Sequence, residues 1–274
     1  MTNEQSYIQL TVISPVFNGR KYIEKCLENV ASQRFDCLEH LIMDGGSSDG
    51  TPEIVREWSS RFPHIRLISE KDRGQSDAMN KGIREARGSI IGFLNVDDFY
   101  EAGILPQVPG LFEQLPNPSF ICGNLNIWNP DGSLRHFNRP EKISLIELLT
   151  DKFEWPYNPS AYFYHKSLHE LCGFYNEQNH YCMDYEFILE AAQCISLRHK
   201  DQLWGNFCQV EGSKTLQRFS TEMEKAVAES RNLRDRVIDK LSAQQKEELF
   251  SLLRSMENPP AESSWMRRLF RFFR

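Results

Sequence analysis

Gly88-Ser-Ile-Ile-Gly-Phe-Leu-Asn-Val-Asp-Asp-Phe-Tyr100 is the stretch on which the reading of this chain turns. A continuous apolar run, Ile90 to Leu94 with Gly92 inside it, breaks abruptly into Asn95, Asp97 and Asp98. A short run of branched and aromatic residues reads as a strand of a parallel sheet, buried on both faces. In open α/β sheets ligands bind beyond the carboxyl ends of the strands, where these aspartates fall. Two carboxylates at the rim of an apolar layer repel each other and lose hydration. A hard divalent cation with oxygen ligands, shared with phosphate oxygens, offsets that cost. A strand ending in an ordinary polar turn has the same local pattern, because Asp is common in turns. The flanking chain decides between the two.

Upstream, Leu10 to Phe17 reads as a first strand punctuated by Pro15 and closed by Asn18-Gly19. Ile23, Cys26, Leu27, Val30 and Ala31 then recur on one helical face. Leu38 to Met43 is a second strand with Asp44-Gly-Gly-Ser-Ser-Asp-Gly-Thr51 as its exit loop, followed by a helix over Pro52 to Ser60. Ile65 to Ser69 is a third strand. Ala78, Met79, Gly82, Ile83 and Ala86 mark the helix leading into the central one. This β-α-β-α-β-α-β order with short connections predicts a doubly wound, mostly parallel sheet flanked by helices. Right-handed crossovers place all four strand exits on one edge.

Downstream the alternation loosens into an α+β half. Ile104 to Leu115 is expected to be helical, and Ser119 to Trp128 a strand whose hairpin partner is Leu134 to Phe137 across Asn129-Pro-Asp-Gly132. Helices are expected over Ser144 to Thr150 and Met183 to Cys194, with a strand at Ala161 to Tyr164. Ser220 to Met256 has helical period and a break near Ser242, and Asn258-Pro-Pro-Ala-Glu-Ser-Ser reads as a hinge. The expected organisation is therefore an α/β subdomain over 1–103, an α+β half of the same domain over 104–219, a helical extension over 220–257, and a hinge and terminal helix over 258–274.

The composition is that of an ordinary globular protein, with 40% hydrophobic and 26% charged residues in 274. A net charge of -6 argues against nucleic acid as a partner. Seven dispersed cysteines without a C-x-x-C pair suit reduced thiols better than a disulfide framework or a zinc site. The first residues lack the basic and apolar regions of a signal peptide, and no apolar run is long enough to span a bilayer. The expected location is cytoplasmic, with a peripheral position on the inner face of a membrane suggested by the last ten residues. At about 100° per residue, Trp265, Met266, Leu269, Phe270, Phe272 and Phe273 share one arc and Arg267, Arg268, Arg271 and Arg274 the other. That pattern suits an anionic membrane surface; docking on a protein surface is the alternative.

Four loops converge on the active edge: Pro15 to Gly19, Asp44 to Thr51, Glu70 to Gln75 and Asn95 to Asp98. They offer an aromatic wall, carboxylates, glycines and an arginine, a set suited to a nucleoside diphosphate with a metal. Neither G-x-G-x-x-G after the first strand nor G-x-x-x-x-G-K-[ST] is present, so a dinucleotide fold and a P-loop are excluded. Arg73, in a Gly-flanked loop on that edge, is a candidate phosphate or sugar contact.

Val12-Ile-Ser-Pro-Val-Phe-Asn18, Asp44-Gly-Gly-Ser-Ser-Asp-Gly-Thr51, Asp72-Arg-Gly74 with Asp77-Ala-Met-Asn80-Lys-Gly82, and Asn95-Val-Asp-Asp98 carry a resemblance. In order and spacing, Thr11 to Gly103 resembles the nucleotide-binding half of the family 2 glycosyltransferases, inverting enzymes of GT-A fold. A fainter resemblance extends to Met183-Asp-Tyr-Glu186 and Gly212-Ser-Lys-Thr215. It implies that Pro15 and Phe17 line the base pocket, Asp44 lies near the base, and Asp97 bonds the ribose or sugar. It further implies Asp98 on Mn²⁺ or Mg²⁺ across the diphosphate, Lys214 on the diphosphate from a mobile loop, and Asp184 as the base.

This chain departs from the family at Gly45, where a second Asp is frequent, and at Asn95, where another Asp is frequent; the second change leaves the metal chiefly to Asp98. Structural roles compete at several positions. Asp49 can start the next helix, Asp184 can cap its own, and Asp77 and Lys81 can pair across one helical turn. Glu186 is the alternative base, and Trp155, Tyr157 and Tyr164 are a sugar platform or plain core.

The function expected is an inverting, metal-dependent glycosyltransferase of hexosyltransferase type. It moves a sugar from a UDP-linked or other nucleotide-sugar donor to a glycan or lipid-linked acceptor, in cell-surface polysaccharide or glycolipid synthesis. A nucleotidyltransferase of the same fold lacks its Gly-rich, Lys- or Arg-bearing loop here. A non-catalytic nucleotide-sugar-binding protein sits poorly with intact Asp97, Asp98 and Asp184.

Overall fold

The computed structural model describes residues 8–150, 152–179, 181–210 and 223–256. Its first half is built as expected. Strands β1 (Leu10–Val16), β2 (Leu38–Asp44), β3 (Ile65–Ser69) and β4 (Ile90–Phe93) are parallel and lie in the order β3-β2-β1-β4. Helices α1 (Ile23–Ala31), α2 (Thr51–Arg61) and α3 (Gln75–Glu85) make the crossovers. Ile23, Cys26, Leu27 and Val30 form the buried stripe of α1. Pro15 faces the β4 side of β1, as Ile13 does. Pairing with β4 ends at Ile13–Phe93, so the missing N–H leaves no ladder bond unmade.

The second half completes one nine-stranded sheet, in the order β3-β2-β1-β4-β8-β6-β9-β5 with β7 beside β6. The elements are β5 (Phe99–Tyr100), β6 (Phe120–Trp128), β7 (Leu134–Asn138), β8 (Tyr162–His165) and β9 (Arg198–Cys208). Among them run α4 (Val108–Phe112), α5 (Leu145–Leu149), α6 (Leu168–Cys172) and α7 (Met183–Cys194). β8 is antiparallel to β4 and β6, whereas β9 runs parallel to β6 and antiparallel to β5. The sheet thus crosses the 103/104 boundary without interruption. The helix expected over Ile104 to Leu115 is instead a 3₁₀ turn, Leu105–Gln107, and the five-residue α4. Pro109 withholds an N–H that a continuous helix from Ile104 needs, and each proline instead opens its own short helix.

β5 lies at the far end of the sheet from β4, although only residues 94–98 separate the two strands. The sheet therefore curls. The Tyr100 hydroxyl donates to the Phe93 carbonyl at 2.7 Å, and the Tyr100 ring stacks on Phe163 of β8 with centroids 5.6 Å apart. Gly92 permits this closure, since a Cβ there would lie 2.4 Å from Cε1 of Phe163.

Helices α8 (Met223–Lys240) and α9 (Ala243–Ser255) are separated where expected, Ser242 and Gln245 forming a capping box at the start of α9. Leu233, Val237, Leu241 and Leu249 join the same core as Leu148, Tyr185 and Leu189. All seven cysteines are free thiols. No helix among the described residues is long and apolar enough to cross a membrane. Lys214, the 258–264 hinge and the 265–274 helix lie outside the described residues.

Candidate active site

Two loops at the carboxyl edge of β1 and β2 are laced together. Asn18, at φ 51°, donates its N–H to Ser47 Oγ at 2.7 Å, and the Ser48 N–H returns to Asn18 Oδ1 at 3.0 Å. The Arg20 N–H reaches Asp49 Oδ2 at 2.9 Å, while Asp49 Oδ1 accepts from the N–H and hydroxyl of Thr51, which opens α2. Asp49 thus works as a loop and helix-start residue. Asp44 is 1% exposed, and its carboxylate accepts from the N–H groups of Gly46 and Ser47 and from Ser69 Oγ at 2.6 Å. Gly46 turns the chain there at φ 88°. Asp44 therefore shapes the loop from inside. Pro15 is half-buried at the strand end, and Phe17 presents a ring 65% exposed.

At the β4 exit the two aspartates have opposite surroundings. Asp98 is buried, and both its oxygens are taken: Oδ1 by the Cys208 N–H at 2.9 Å, Oδ2 by Asn158 Nδ2 at 2.8 Å and Asn95 Nδ2 at 3.0 Å. Asp97 is half-buried, and among the described residues its carboxylate is engaged only by its own backbone amide. Burial first, then the charge of Asp97, push the Asp98 carboxyl well above the usual range, against the pull of its three donors. Burial raises Asp97 as well.

Among the described residues neither aspartate is paired with a lysine or arginine, which is the condition a bound divalent ion relieves. Among the described residues no group of three or more His, Cys, Asp or Glu side chains converges on a metal position. The donor set fits an ion held by one or two carboxylates and completed by phosphate oxygens and water. The assignment of the metal to Asp98 and the ribose to Asp97 sits badly with these contacts. The enclosed Asp98 already has an amide donor on each oxygen, and the more open carboxylate is Asp97.

Helix α3 begins beside this corner. Gly74, at φ 130°, is its N-cap, with no side chain capping the helix, and Gln75 Nε2 donates to Asn95 Oδ1 at 3.1 Å. Arg73 is exposed but already paired, with Asp77 Oδ1 at 3.1 Å and Glu177 Oε2 at 2.5 Å. These two acids hold its guanidinium firmly charged, the hydrogen bond to Asp77 first. Asp77 and Lys81 do pair, at 3.4 Å, but Asp77 is buried, so the pair is no free surface bridge.

Asp184 occupies the first turn of α7, and its neighbour Met183 takes the Ser76 hydroxyl of α3 on its sulfur at 3.0 Å. The contacts Met183–Ser76 and Gln75–Asn95 thus link the starts of α7 and α3 to the β4 exit. Asp184 does not cap its helix. Cys182 is the N-cap residue, without a side-chain bond, and Asp184 Oδ1 instead accepts from the Tyr162 hydroxyl at 2.9 Å. Among the described residues Oδ2 has no hydrogen-bond partner. Burial lifts the Asp184 carboxyl to about 6, opposed by the Tyr162 hydrogen bond.

Glu186, the alternative base, has its oxygens on Asn179 Nδ2 at 2.7 Å, Asn176 Nδ2 and Arg236. It is a structural anchor for α8. Tyr164 is fully buried and Trp155 nearly so, leaving only Tyr157 of the proposed sugar platform at the rim.

Asn158, Tyr162 and the backbone of Cys208 were not legible as site residues. Asn158 lies in a Pro-rich segment where its own cap, accepting from the Ser160 N–H, is the only local signal. Tyr162 reads as one more apolar residue of a strand.

A curled, mostly parallel α/β sheet with acidic residues at its strand exits defines the GT-A class of nucleotide-sugar enzymes. The model of glycosyl transferase family 2 matches residues 11–170, and the chain belongs to that family. It is 28% identical over 202 residues to the chondroitin synthase of Pasteurella multocida strain Pm70, covering 72% of this chain and 20% of that protein. A chondroitin synthase of Escherichia coli is 39% identical over 92 residues, 34% of this chain and 13% of its own. The chain thus spans at most about a fifth of these relatives' length.

Among solved structures, S. aureus TarS 1-349 in complex with UDP-GlcNAc superposes with a TM-score of 0.69 at 18% identity, over 89% of this chain and 71% of that one. The mannosyltransferase PcManGT from Pyrobaculum calidifontis, in complex with GDP-Man and Mn²⁺, has a TM-score of 0.58 at 17% identity, over 97% and 85%. At these identities the structural likeness establishes the fold.

Proposed function

We propose that this protein is an inverting, metal-dependent hexosyltransferase that moves a sugar from a nucleotide-sugar donor, UDP-linked, to a glycan or lipid-linked acceptor. The reading is carried by one observation, the desolvated Asp97–Asp98 pair, without an ion-pair partner among the described residues, on the edge where four loops meet. Family membership and the nucleotide sugars bound by TarS and PcManGT support the donor class. The chondroitin synthases among its relatives support a polysaccharide product.

Asp97 would hold the cation, and Asp98 holds the corner in shape from behind. A divalent ion there would neutralise charge on the departing diphosphate. Phe17 and Pro15 wall the base, Asp44 sets the backbone of 45–47 that meets it, and Lys214 and Arg73 serve the diphosphate. Asp184 takes the acceptor hydroxyl proton on its open oxygen as the new C–O bond forms on the face opposite the leaving group. The transition state carries oxocarbenium character, as in glycoside hydrolysis. The 265–274 segment, whose basic and aromatic residues would fall on opposite arcs of a helix, keeps the enzyme on the cytoplasmic face of a membrane near a lipid-linked acceptor.

Calorimetric titration of UDP, GDP and dTDP, each with Mn²⁺ and with chelator, tests this on the wild type and on Asp97→Asn. The expected result is metal-dependent binding of UDP that the variant loses. Binding that ignores both chelator and substitution would end the reading.

A further inference from the structure

We propose that Tyr162 is the positioning residue of Asp184: its hydroxyl, pinned in turn by Tyr175, holds one carboxylate oxygen so that the other is presented to the acceptor. This rests on Asp184 being the base. The direction of each bond follows from counting protons. Tyr162 gives its single hydroxyl proton to Asp184 Oδ1 at 2.9 Å. In the 3.2 Å contact between the hydroxyls of Tyr162 and Tyr175, Tyr175 must therefore be the donor.

Tyr175 cannot drift. Its N–H donates to Asn80 Oδ1 at 3.0 Å, its carbonyl accepts from Asn80 Nδ2 at 2.9 Å, and its ring packs on Phe187 at 4.7 Å and edge-on to Phe93 at 5.8 Å. Tyr162 stacks on Phe120 at 5.0 Å and is wholly buried. Tyr164, the next phenol, also acts on Tyr175, but its own proton goes elsewhere. His169 Nδ1 lies 2.8 Å from the Gly173 carbonyl and must donate to it. Burial holds His169 neutral, with its pKa down at about 4, so Nε2 accepts from Tyr164 at 2.9 Å. Asp184 is thus left with one side-chain donor among the described residues, on one oxygen.

The titratable groups facing Asp184 come from three elements. β8 contributes Tyr162 and Tyr164, the segment after α6 contributes Tyr175, and the start of α7 contributes Cys182. Burial pushes all three hydroxyls well above their ordinary range and the Cys182 thiol to about 12. They stay neutral near pH 7, so Asp184 is the group in this cluster that titrates there. In the reaction the acceptor O–H proton passes to Oδ2 and its electron pair forms the new glycosidic bond. The bond to the diphosphate breaks with its pair on the leaving oxygen, and the Tyr162 proton stays where it is.

Tyr162→Phe removes the hydroxyl and keeps the ring. Release of UDP from UDP-GlcNAc with Mn²⁺, water serving as acceptor, is followed from pH 5 to 9. The acid limb of kcat is expected to move up by about one pH unit, because the lost bond favoured the ionised form, with donor KM within about twofold. In parallel, urea unfolding from pH 4 to 8 reads the Asp184 titration without substrate, in the wild type, Tyr162→Phe, Asp184→Asn and the double variant. The titration midpoint is expected to rise in Tyr162→Phe and to vanish in both variants that lack Asp184.

A Tyr162→Phe loss that is equal at every pH, with an unmoved midpoint, overturns the positioning role and leaves the base intact. Full turnover by Asp184→Asn overturns the base, and the positioning role with it. Should Tyr162→Phe not fold, Tyr175→Phe removes the donor behind Tyr162. It is expected to move the midpoint the same way by about half as much, and an unmoved midpoint there overturns the proposal.

Discussion

At the β4 exit two carboxylates share one desolvated corner, whereas at the start of α7 a single carboxylate stands among phenol rings. Amides do the sorting in the first place. Asn95, Asn158 and the Cys208 N–H engage both oxygens of Asp98 and leave Asp97 open. In the second, one phenol divides a single group, holding Oδ1 and leaving Oδ2. Both regions keep an unmet electrostatic demand in a dry place, but of different kinds. A pair of negative charges asks for a cation, and a lone raised carboxylate asks for a proton.

Breaking the second region should have the largest effect. Asp184→Asn is expected to lower turnover by about 10²–10⁴-fold, the range of general-base catalysis, with UDP affinity little changed. Equal losses of affinity and turnover would mean that the two regions do not divide the work. In the first region, Asp98→Asn sets an NH₂ against donors that all point inward and should cost about 2–3 kcal/mol in urea unfolding at pH 4, a cost that shrinks as pH rises and relief of the buried charge offsets it. Asp97→Asn should cost almost none and weaken Mn²⁺-dependent UDP binding instead. An Asp98 variant as stable as the wild type would erase the distinction between the two aspartates.

The pH dependence sharpens the comparison further. Asp184 titrates at about 6 in the folded chain against an ordinary value of 3.8. Between those values the folded state binds more protons, so its contribution to stability is complete below pH 4 and is lost as pH rises through 6. At pH 8 Asp184→Asn should therefore be about 1–3 kcal/mol more stable than the wild type, and at pH 4 nearly equal to it. The last test lies at the seam between the halves. Gly92→Ala crowds Phe163 and should destabilise by about 1–3 kcal/mol without altering the pH dependence.

Much of the first region could be read from the chain because its partners are near in sequence or follow a βα alternation. β1 to β4, their helices and the acidic strand exit all announce themselves by apolar runs ending in turn residues. The strand β9 did not, because Arg198-His-Lys-Asp-Gln has no alternation. Its polar groups are matched sideways, Asp201 to Arg139 and Asn124, His199 to Asn124, and Asn206 to Trp128 and Glu101. Lateral pairing of this sort leaves no period. The partition of Asp97 from Asp98 was equally hidden, since it depends on Asn158 and Cys208, 60 and 110 residues away. The resemblance supplied Asp184, and only the fold supplied Tyr162.

The curl of the sheet has a further consequence for how the chain can vary. Surface connections at strand ends ordinarily absorb extra residues at little cost. The link from Asn95 to Asp98 has no such freedom. β4 fixes one end against β1 and β8, β5 fixes the other against β9, and the bond from Tyr100 back to Phe93 sets the distance between them. It is a spacer of set length: a glycine inserted before Asp97 should unfold the seam, whereas one inserted at Asp131-Gly132, in the open hairpin between β6 and β7, should pass unnoticed. In this part of the protein, lineages can trade side chains but not count.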